Sequence, residues 1–303
     1  MKKIVFSIIL VILLGVIFVY RENIYNIYRT YILNEKSQDI ELEEKNDYFR
    51  NESFDYVQLT DDFTPENFNE LKNIYYTVLN SGQEEFTFYC PDEYTTCLDD
   101  VETIANDQTM LSNINNFVHP FNSFQNIETS YDSYGKITIT IEHNYSDNDI
   151  KLISAKVDQI EQQIWNNTMT TDSKLRAAHD YIINNTKYDS ARTDKQIIQY
   201  QSDTAYGSLL EGYAICGGYT DAMALFLEDL QLENYKISSA NHVWNAVNIN
   251  GNWYHLDLTW DDPITNTGEN LLKYDFYLIT TDRLLLIEQT EHNFDQSVYQ
   301  EVV

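Results

Sequence analysis

Asn250-Gly251 lies between two strand-like runs, Val243 to Ile249 and Asn252 to Leu258. A two-residue Asn-Gly connection is the strongest short hairpin signal, because both residues tolerate the positive φ that a type I′ turn needs. With these two residues as the loop the register follows: Ile249 pairs with Asn252, Trp244 with Asp257 and His242 with Thr259. Side chains alternate across a strand, so His242, Trp244, Asp257 and Thr259 share one face. His242 and Asp257 become diagonal neighbours, their α-carbons roughly 7–8 Å apart. Val243, Val247, Ile249, Tyr254, Leu256 and Leu258 take the other face, which reads as core. The turn alone sets a carboxylate beside an imidazole.

A thiol precedes them in Gly212-Tyr213-Ala214-Ile215-Cys216-Gly217-Gly218-Tyr219, directly ahead of an apolar-periodic stretch from Asp221 to Leu230. Ala222, Leu225, Phe226 and Leu230 fall at core spacing of a helix, which puts Cys216 at or just inside its N-terminus. Unpaired N–H groups and the positive dipole end there favour thiolate over thiol. Thiol, base and orienting acid are the set that nucleophilic acyl transfer requires, and Cys216, His242 and Asp257 supply them in order. His255 shares the face of Asp257 and competes as base, though Trp253 and Ala246 beside it suit a packed histidine. His119, His143, His179 and His292 lack such context and read as structural or surface residues.

Lys2 and Lys3 precede an apolar run from Ile4 to Tyr20 that Arg21 closes. As a helix the run is roughly 25 Å long, adequate for a bilayer with flanking anchors. Val19-Tyr20-Arg21-Glu22 offers no small-residue processing site, so residues 1–21 are expected to be an uncleaved single-pass anchor, lysines inside and the body outside the cell membrane. Residues 22–52 are polar and increasingly acidic, an expected stalk. Residues 53–149 read as a first α/β region without chemistry: a helix opened by Pro65 and capped by Asp62 or Thr64, a strand from Glu85 to Cys90, and strands Phe124 to Tyr131 and Lys136 to Glu142. Residues 150–303 carry the chemistry, with helices through Ile153, Val157 and Ile160 and through Ala177 to Ile182, a loop-like segment from Tyr188 to Asp203, and a last β-like segment from Tyr274 to Ile279. Cys90 and Cys97 are spaced to close a small disulfide loop, which leaves Cys216 as the odd thiol.

A net charge of −29 over 303 residues speaks against nucleic acid as a partner, since phosphate backbones are gripped by basic patches. Paired Cys-x-x-Cys motifs, His-Glu-x-x-His, phosphate-binding glycine loops and dinucleotide fingerprints do not occur, so no metal or other cofactor is expected.

Together with Ala205-Tyr206-Gly207-Ser208-Leu209-Leu210, His242-Val243-Trp244-Asn245 and Asn250-Gly251-Asn252-Trp253-Tyr254-His255-Leu256-Asp257-Leu258-Thr259-Trp260-Asp261-Asp262-Pro263, the cysteine segment resembles the transglutaminase-like superfamily over roughly residues 172–282. Ala177-Ala178-His179-Asp180-Tyr181-Ile182 and Tyr274-Asp275-Phe276-Tyr277-Leu278-Ile279 resemble its exported bacterial members. The resemblance implies an α+β class: a papain-like core with the nucleophile's helix on an antiparallel sheet, preceded here by the smaller α/β region and the anchor. It also implies Cys216 as nucleophile, His242 as base and Asp257 as orienting acid, acting on peptide or isopeptide amide bonds through a thioester, by hydrolysis or cross-linking. Protein, peptide or cell-envelope material is the expected partner. Tyr206 is a candidate for lining the substrate site, and Trp244 for shielding the thioester; Trp253, Trp260 and Pro263 read as packing residues. The alternative is a non-catalytic peptide- or wall-binding module with the same fold.

Overall fold

The computed structural model describes residues 13–28, 40–42, 45–264 and 271–303. The chain divides into two units, Met1–Glu41 and Leu42–Val303. In the first, residues 13–19 are helical and α1 spans Arg21–Tyr28. Among the described residues no helix is long and apolar enough to cross a membrane. Residues 1–12 of the expected anchor and 29–39 of the expected stalk lie outside the described residues. Leu13, Leu14, Val16, Ile17, Phe18 and Val19 expose their apolar side chains.

The second unit contains everything from residue 45 that the structure describes, which corrects two boundaries. The last residues of the expected stalk belong to the body: Arg50 is buried and donates to the carbonyls of Phe117 and Asn234, both at 3.0 Å, and to Glu228 at 2.5 Å. The expected division near residue 150 is not a domain boundary. Phe121 and Tyr145 from before it share one core cluster with Ile153, Ile182, Phe226, Val247 and Leu256 from after it.

Helix α2 spans Phe68–Ser81. Asn67 caps it, in place of the expected Asp62 or Thr64, because its side chain accepts the N–H groups of Asn69 and Glu70 while Pro65 stays outside the helix. Strand β1 (Glu85–Tyr89) leads to the Cys90–Cys97 disulfide and then to α3 (Cys97–Asn106) and α4 (Gln108–Asn115). Strands β2 (Phe124–Tyr131) and β3 (Lys136–His143), both expected as strands, complete an antiparallel sheet of order β1-β3-β2. Phe86, Phe88, Ile137, Ile139 and Ile141 form its buried face.

Helix α5 (Asp147–Ile164) starts on a capping box formed by Ser146 and Asp149, and α6 (Thr171–Asn185) starts on the Thr170 hydroxyl. Strand β4 (Lys187–Tyr188) pairs in parallel with β5 (Tyr213–Ala214), and the intervening segment holds α7 (Ser190–Lys195) and a π-turn at Gly207–Glu211. Helix α8 (Cys216–Asp229) buries Ala222, Met223, Phe226 and Leu227 against Leu175, Ala178 and Ile182 of α6 and against Val247 and Leu256 of the second sheet. That sheet is antiparallel, β6 (Asn234–Ser238), β7 (Val243–Ile249) and β8 (Asn252–Leu256) in sequence order. Asn250 at φ 54 and Gly251 at φ 84 make the turn, and Ile249 faces Asn252 as the dipeptide requires.

The register holds to Asn245–Leu256 and then stops. Asp257 leaves the strand to cap α9 (Leu258–Asp261), so Thr259 does not face His242 across a ladder as expected. The second face of this sheet is covered by α10 (Thr281–Ile287) and the segment after it, where Phe294 meets Trp244 and His255 at 5.9 and 5.4 Å between ring centroids. The expected strand at Tyr274 to Ile279 reduces to a single bridge between Ile279 and His255.

Candidate active site

Cys216 is the first residue of α8, as its spacing predicts, and stays partly exposed. The approach to it is drawn tight by Gly218, where an added Cβ would stand 2.5 Å from the Ser202 carbonyl oxygen and 2.9 Å from that of Thr204. Only glycine lets the helix start against that loop. Thr220, one turn on, reaches the carbonyl oxygens of Cys216 at 2.7 Å and Val243 at 3.0 Å with the same hydroxyl. Asn245 of β7 donates to the Thr220 carbonyl at 3.0 Å. These contacts dock the first turn of the helix that Cys216 opens on the strand that begins beside His242.

His242 and Asp257 are both buried, and their side chains meet: His242 Nε2 lies 2.5 Å from Asp257 Oδ2. The other carboxylate oxygen accepts the backbone N–H groups of Thr259 at 2.9 Å and Trp260 at 3.3 Å. Burial opposes charge on Asp257, but His242 and a second imidazole outweigh it, holding the carboxyl well below the usual range. It is therefore ionised and accepts. With Nε2–H given to Asp257, Nδ1 of His242 is the atom left for Cys216, which helps to raise the ring. Burial works against the imidazolium too. Asp257 first and Cys216 second more than reverse that and lift His242 to about 10, so the ring is protonated at neutral pH.

His255, the competing base, is placed elsewhere. Its Nδ1 accepts the Trp244 indole N–H at 2.9 Å, so the proton sits on Nε2 and goes to Thr281 Oγ1 at 2.9 Å; that hydroxyl donates in turn to the Val302 carbonyl. Burial and the neighbouring His292 push His255 down to about 3, a neutral ring with both nitrogens occupied. Trp244 corrects another expectation. It has no exposed surface, so it cannot touch a substrate or cover a thioester; instead it stacks on His242, centroids 5.5 Å apart and planes 18° from parallel. Tyr206 is half-buried at the start of the π-turn and packs against the main core cluster.

Two residues near the site escape the sequence reading. His292 is fully buried and its Nε2 lies 2.9 Å from the same Asp257 oxygen. No spacing signal announces it, because 35 residues and a helix separate the two. Tyr188, read as loop, lies in β4 beside Ala214; burial first and Cys216 second raise its hydroxyl. The short β4–β5 pairing that brings it there is too brief to show in any sequence period.

Among the described residues, His242, Asp257 and His292 are also those whose ligand atoms come close enough to hold a metal, within 4.8 Å of one another. Both Nε2 atoms already aim their hydrogens at one carboxylate oxygen, so the trio forms a hydrogen-bonded set; a cation there would have to displace both protons and spread the groups.

No protein-family model matches the chain, and no curated protein matches it. Several solved structures overlap it in part, two of them as follows. One, described as a TGase, shares 15% identity with a TM-score of 0.30 over 45% of each chain. The other, described as a candidate cysteine protease from Cytophaga hutchinsonii, shares 14% identity with a TM-score of 0.28 over 48% of this chain and 65% of its own. The chain thus covers less than two thirds of either structure, and the geometry of Cys216, His242 and Asp257 has to carry the functional reading by itself.

Proposed function

We propose that the chain is a cysteine-dependent acyltransferase or hydrolase of the transglutaminase-like type, acting on peptide or isopeptide amide bonds. A single observation carries the reading: one buried imidazole, His242, is hydrogen-bonded to Asp257 through Nε2, and the partly exposed Cys216 at a helix N-terminus helps to raise that ring.

In this reading Nδ1 of His242 holds the Cys216 proton, and the sulfur attacks the amide carbonyl carbon as thiolate while the carbonyl electrons move onto oxygen. Backbone N–H groups at the start of α8 are donors of the kind that stabilise such an oxyanion. His242, protonated at neutral pH, gives its Nδ1 proton to the departing amine as the C–N bond breaks, leaving a thioester on Cys216. Water or a second amine then attacks the thioester, His242 takes the proton back from that nucleophile, and sulfur leaves. Asp257 keeps Nε2–H engaged throughout and so holds Nδ1 toward the sulfur.

The site is proposed to work at the cell surface, on protein, peptide or envelope material, with the apolar N-terminal run as a single-pass membrane anchor. The run from Ile4 to Tyr20 and the exposed apolar side chains of residues 13–19 support that placement. The test is incubation of the full chain and of Cys216→Ala with a thiol-directed acyl probe and with envelope extract, read by mass spectrometry. A thioester or probe adduct on Cys216, and new cleavages or cross-links absent from the variant, are expected. Equal labelling of the variant removes the nucleophile assignment.

A further inference from the structure

Asp257 does not serve His242 alone. Its Oδ2 atom also receives Nε2 of His292 at 2.9 Å, and the other nitrogen of His292, Nδ1, lies 3.0 Å from Glu288 Oε2, four residues back at the end of α10. Glu288 is an anion: burial would raise its carboxyl, but the His292 bond and the backbone N–H groups of Glu291 and Thr290 bring it below the ordinary value. A histidine with a carboxylate on each nitrogen can satisfy both only by donating twice, as an imidazolium. The ring is otherwise walled by apolar and aromatic surface: it stacks on Phe276 at 5.3 Å and meets Trp244 edge-on at 4.8 Å and Trp260 at 5.5 Å. The other titratable groups facing it are His242, ring centroids 5.2 Å apart, and His255.

We propose that His292 is a positioning residue of the site: held as a cation between Glu288 and Asp257, it fixes the carboxylate on His242 and limits how strongly that carboxylate holds the His242 proton. The first part follows from geometry. Asp257 sits at the N-cap of a four-residue helix, and its Oδ2 would otherwise be located by His242 alone. The second follows from charge. Two imidazolium rings share one anion, so each weakens its hold on the other. A site of acyl transfer needs that balance, because His242 must release its proton to an amine and recover it within one turnover. The proposal rests on the acyl-transfer reading for this purpose only; the shared anion is there without it.

Three variants of the full chain separate the parts. Glu288→Gln removes the anion opposite Nδ1, and with it the support for charge on His292, while leaving an amide that can hydrogen-bond the ring. His292→Gln retains a donor for Asp257 and removes the ring. His292→Phe removes donor and charge together. Histidine ring-nitrogen NMR follows the titration of His242 in each. The expected result is an upward shift of about one pH unit in Glu288→Gln and His292→Gln, the size of effect that loss of a nearby like charge produces. Alkylation of Cys216 by iodoacetamide near neutral pH should fall roughly 10- to 100-fold in His292→Phe, the loss of one hydrogen bond to a charged group, with partial recovery in His292→Gln. A His242 titration unchanged in folded Glu288→Gln overturns the proposal, since mere packing by His292 would not move it. The acyl-transfer reading fails by a different sign: wild-type Cys216 that reacts with iodoacetamide no faster than in the urea-unfolded chain.

Discussion

Trp244 lies against His242, planes 18° from parallel, and donates its indole N–H to His255 at 2.9 Å. One buried side chain thus supports the ring that faces Cys216 and fixes the tautomer of a second histidine. Two substitutions separate these tasks. Trp244→Phe keeps a stacking ring and strips His255 Nδ1 of its donor, which should lower stability by about 1–3 kcal/mol and leave Cys216 alkylation largely intact. Trp244→Ala also removes the support under His242, costing about 3–5 kcal/mol in urea unfolding and lowering the alkylation rate. Equal alkylation in both variants would detach the tryptophan from the site.

The paired histidines give stability a pH dependence with two limbs. An unfolded histidine titrates near about 6.5. His242, raised to about 10, binds its proton more tightly when folded, so its contribution is full below about 6.5 and is lost as pH rises toward 10. His255, lowered to about 3, is neutral when folded, so its contribution is full above about 6.5 and is lost as pH falls toward 3. Each limb has a limiting slope of about 1.4 kcal/mol per pH unit. Urea unfolding across pH should show the gap between wild type and His242→Gln narrowing on the alkaline side. For His255→Gln the gap should narrow on the acid side. Parallel curves would mean the two rings titrate alike in both states.

Much of this site is legible in local sequence and little of it in long-range sequence. Asn250-Gly251 fixes the register from Ile249–Asn252 to Asn245–Leu256, and the glycines with the periodic run after them put Cys216 at a helix start. Both are local signals of turn chemistry and period. The end of β8 is missed because Asp257 is a better helix cap than a strand residue, and capping by its side chain wins over extending the ladder. Trp244 is misplaced because alternation names a face without saying what lies above it; here the covering layer comes from residues after 280. His292 and Arg50 fail for the same reason, since their partners lie 35 and up to 184 residues away. The single core across residue 150 is likewise a tertiary fact, as two stretches of different pattern can still bury one surface.

Gly218 is the residue at which the cysteine turn tolerates least. Its would-be Cβ meets backbone oxygens of Ser202 and Thr204, and that loop is pinned by the Ile215 N–H on the Ser202 carbonyl at 2.7 Å. Gly218→Ala should therefore cost about 3 kcal/mol, at the upper end of overpacking effects, although alanine is the better helix former. Ala224→Gly, in the same helix away from the loop, should cost only about 1 kcal/mol. Thermal unfolding of the two variants reverses this order if the loop simply gives way.

Thr220 offers the cleanest separation of placement from stability. Its hydroxyl has one hydrogen for two carbonyls, Cys216 at 2.7 Å and Val243 at 3.0 Å, and so stitches the Cys216 turn to the strand that follows His242. Thr220→Val conserves shape and β-branching while removing that stitch. Stability should drop by about 1 kcal/mol, the ordinary value of one neutral hydrogen bond. Iodoacetamide alkylation of Cys216 should fall about tenfold, because misplacement of a sulfur relative to its imidazole acts on reactivity more steeply than on folding. Thr220→Ser keeps the hydroxyl and should restore the rate even if it loses a similar amount of stability through its missing methyl. A rate that instead follows stability across Val and Ser would make Thr220 a packing residue, and the alignment of thiol and imidazole would then rest on Gly218 and Asn245 alone.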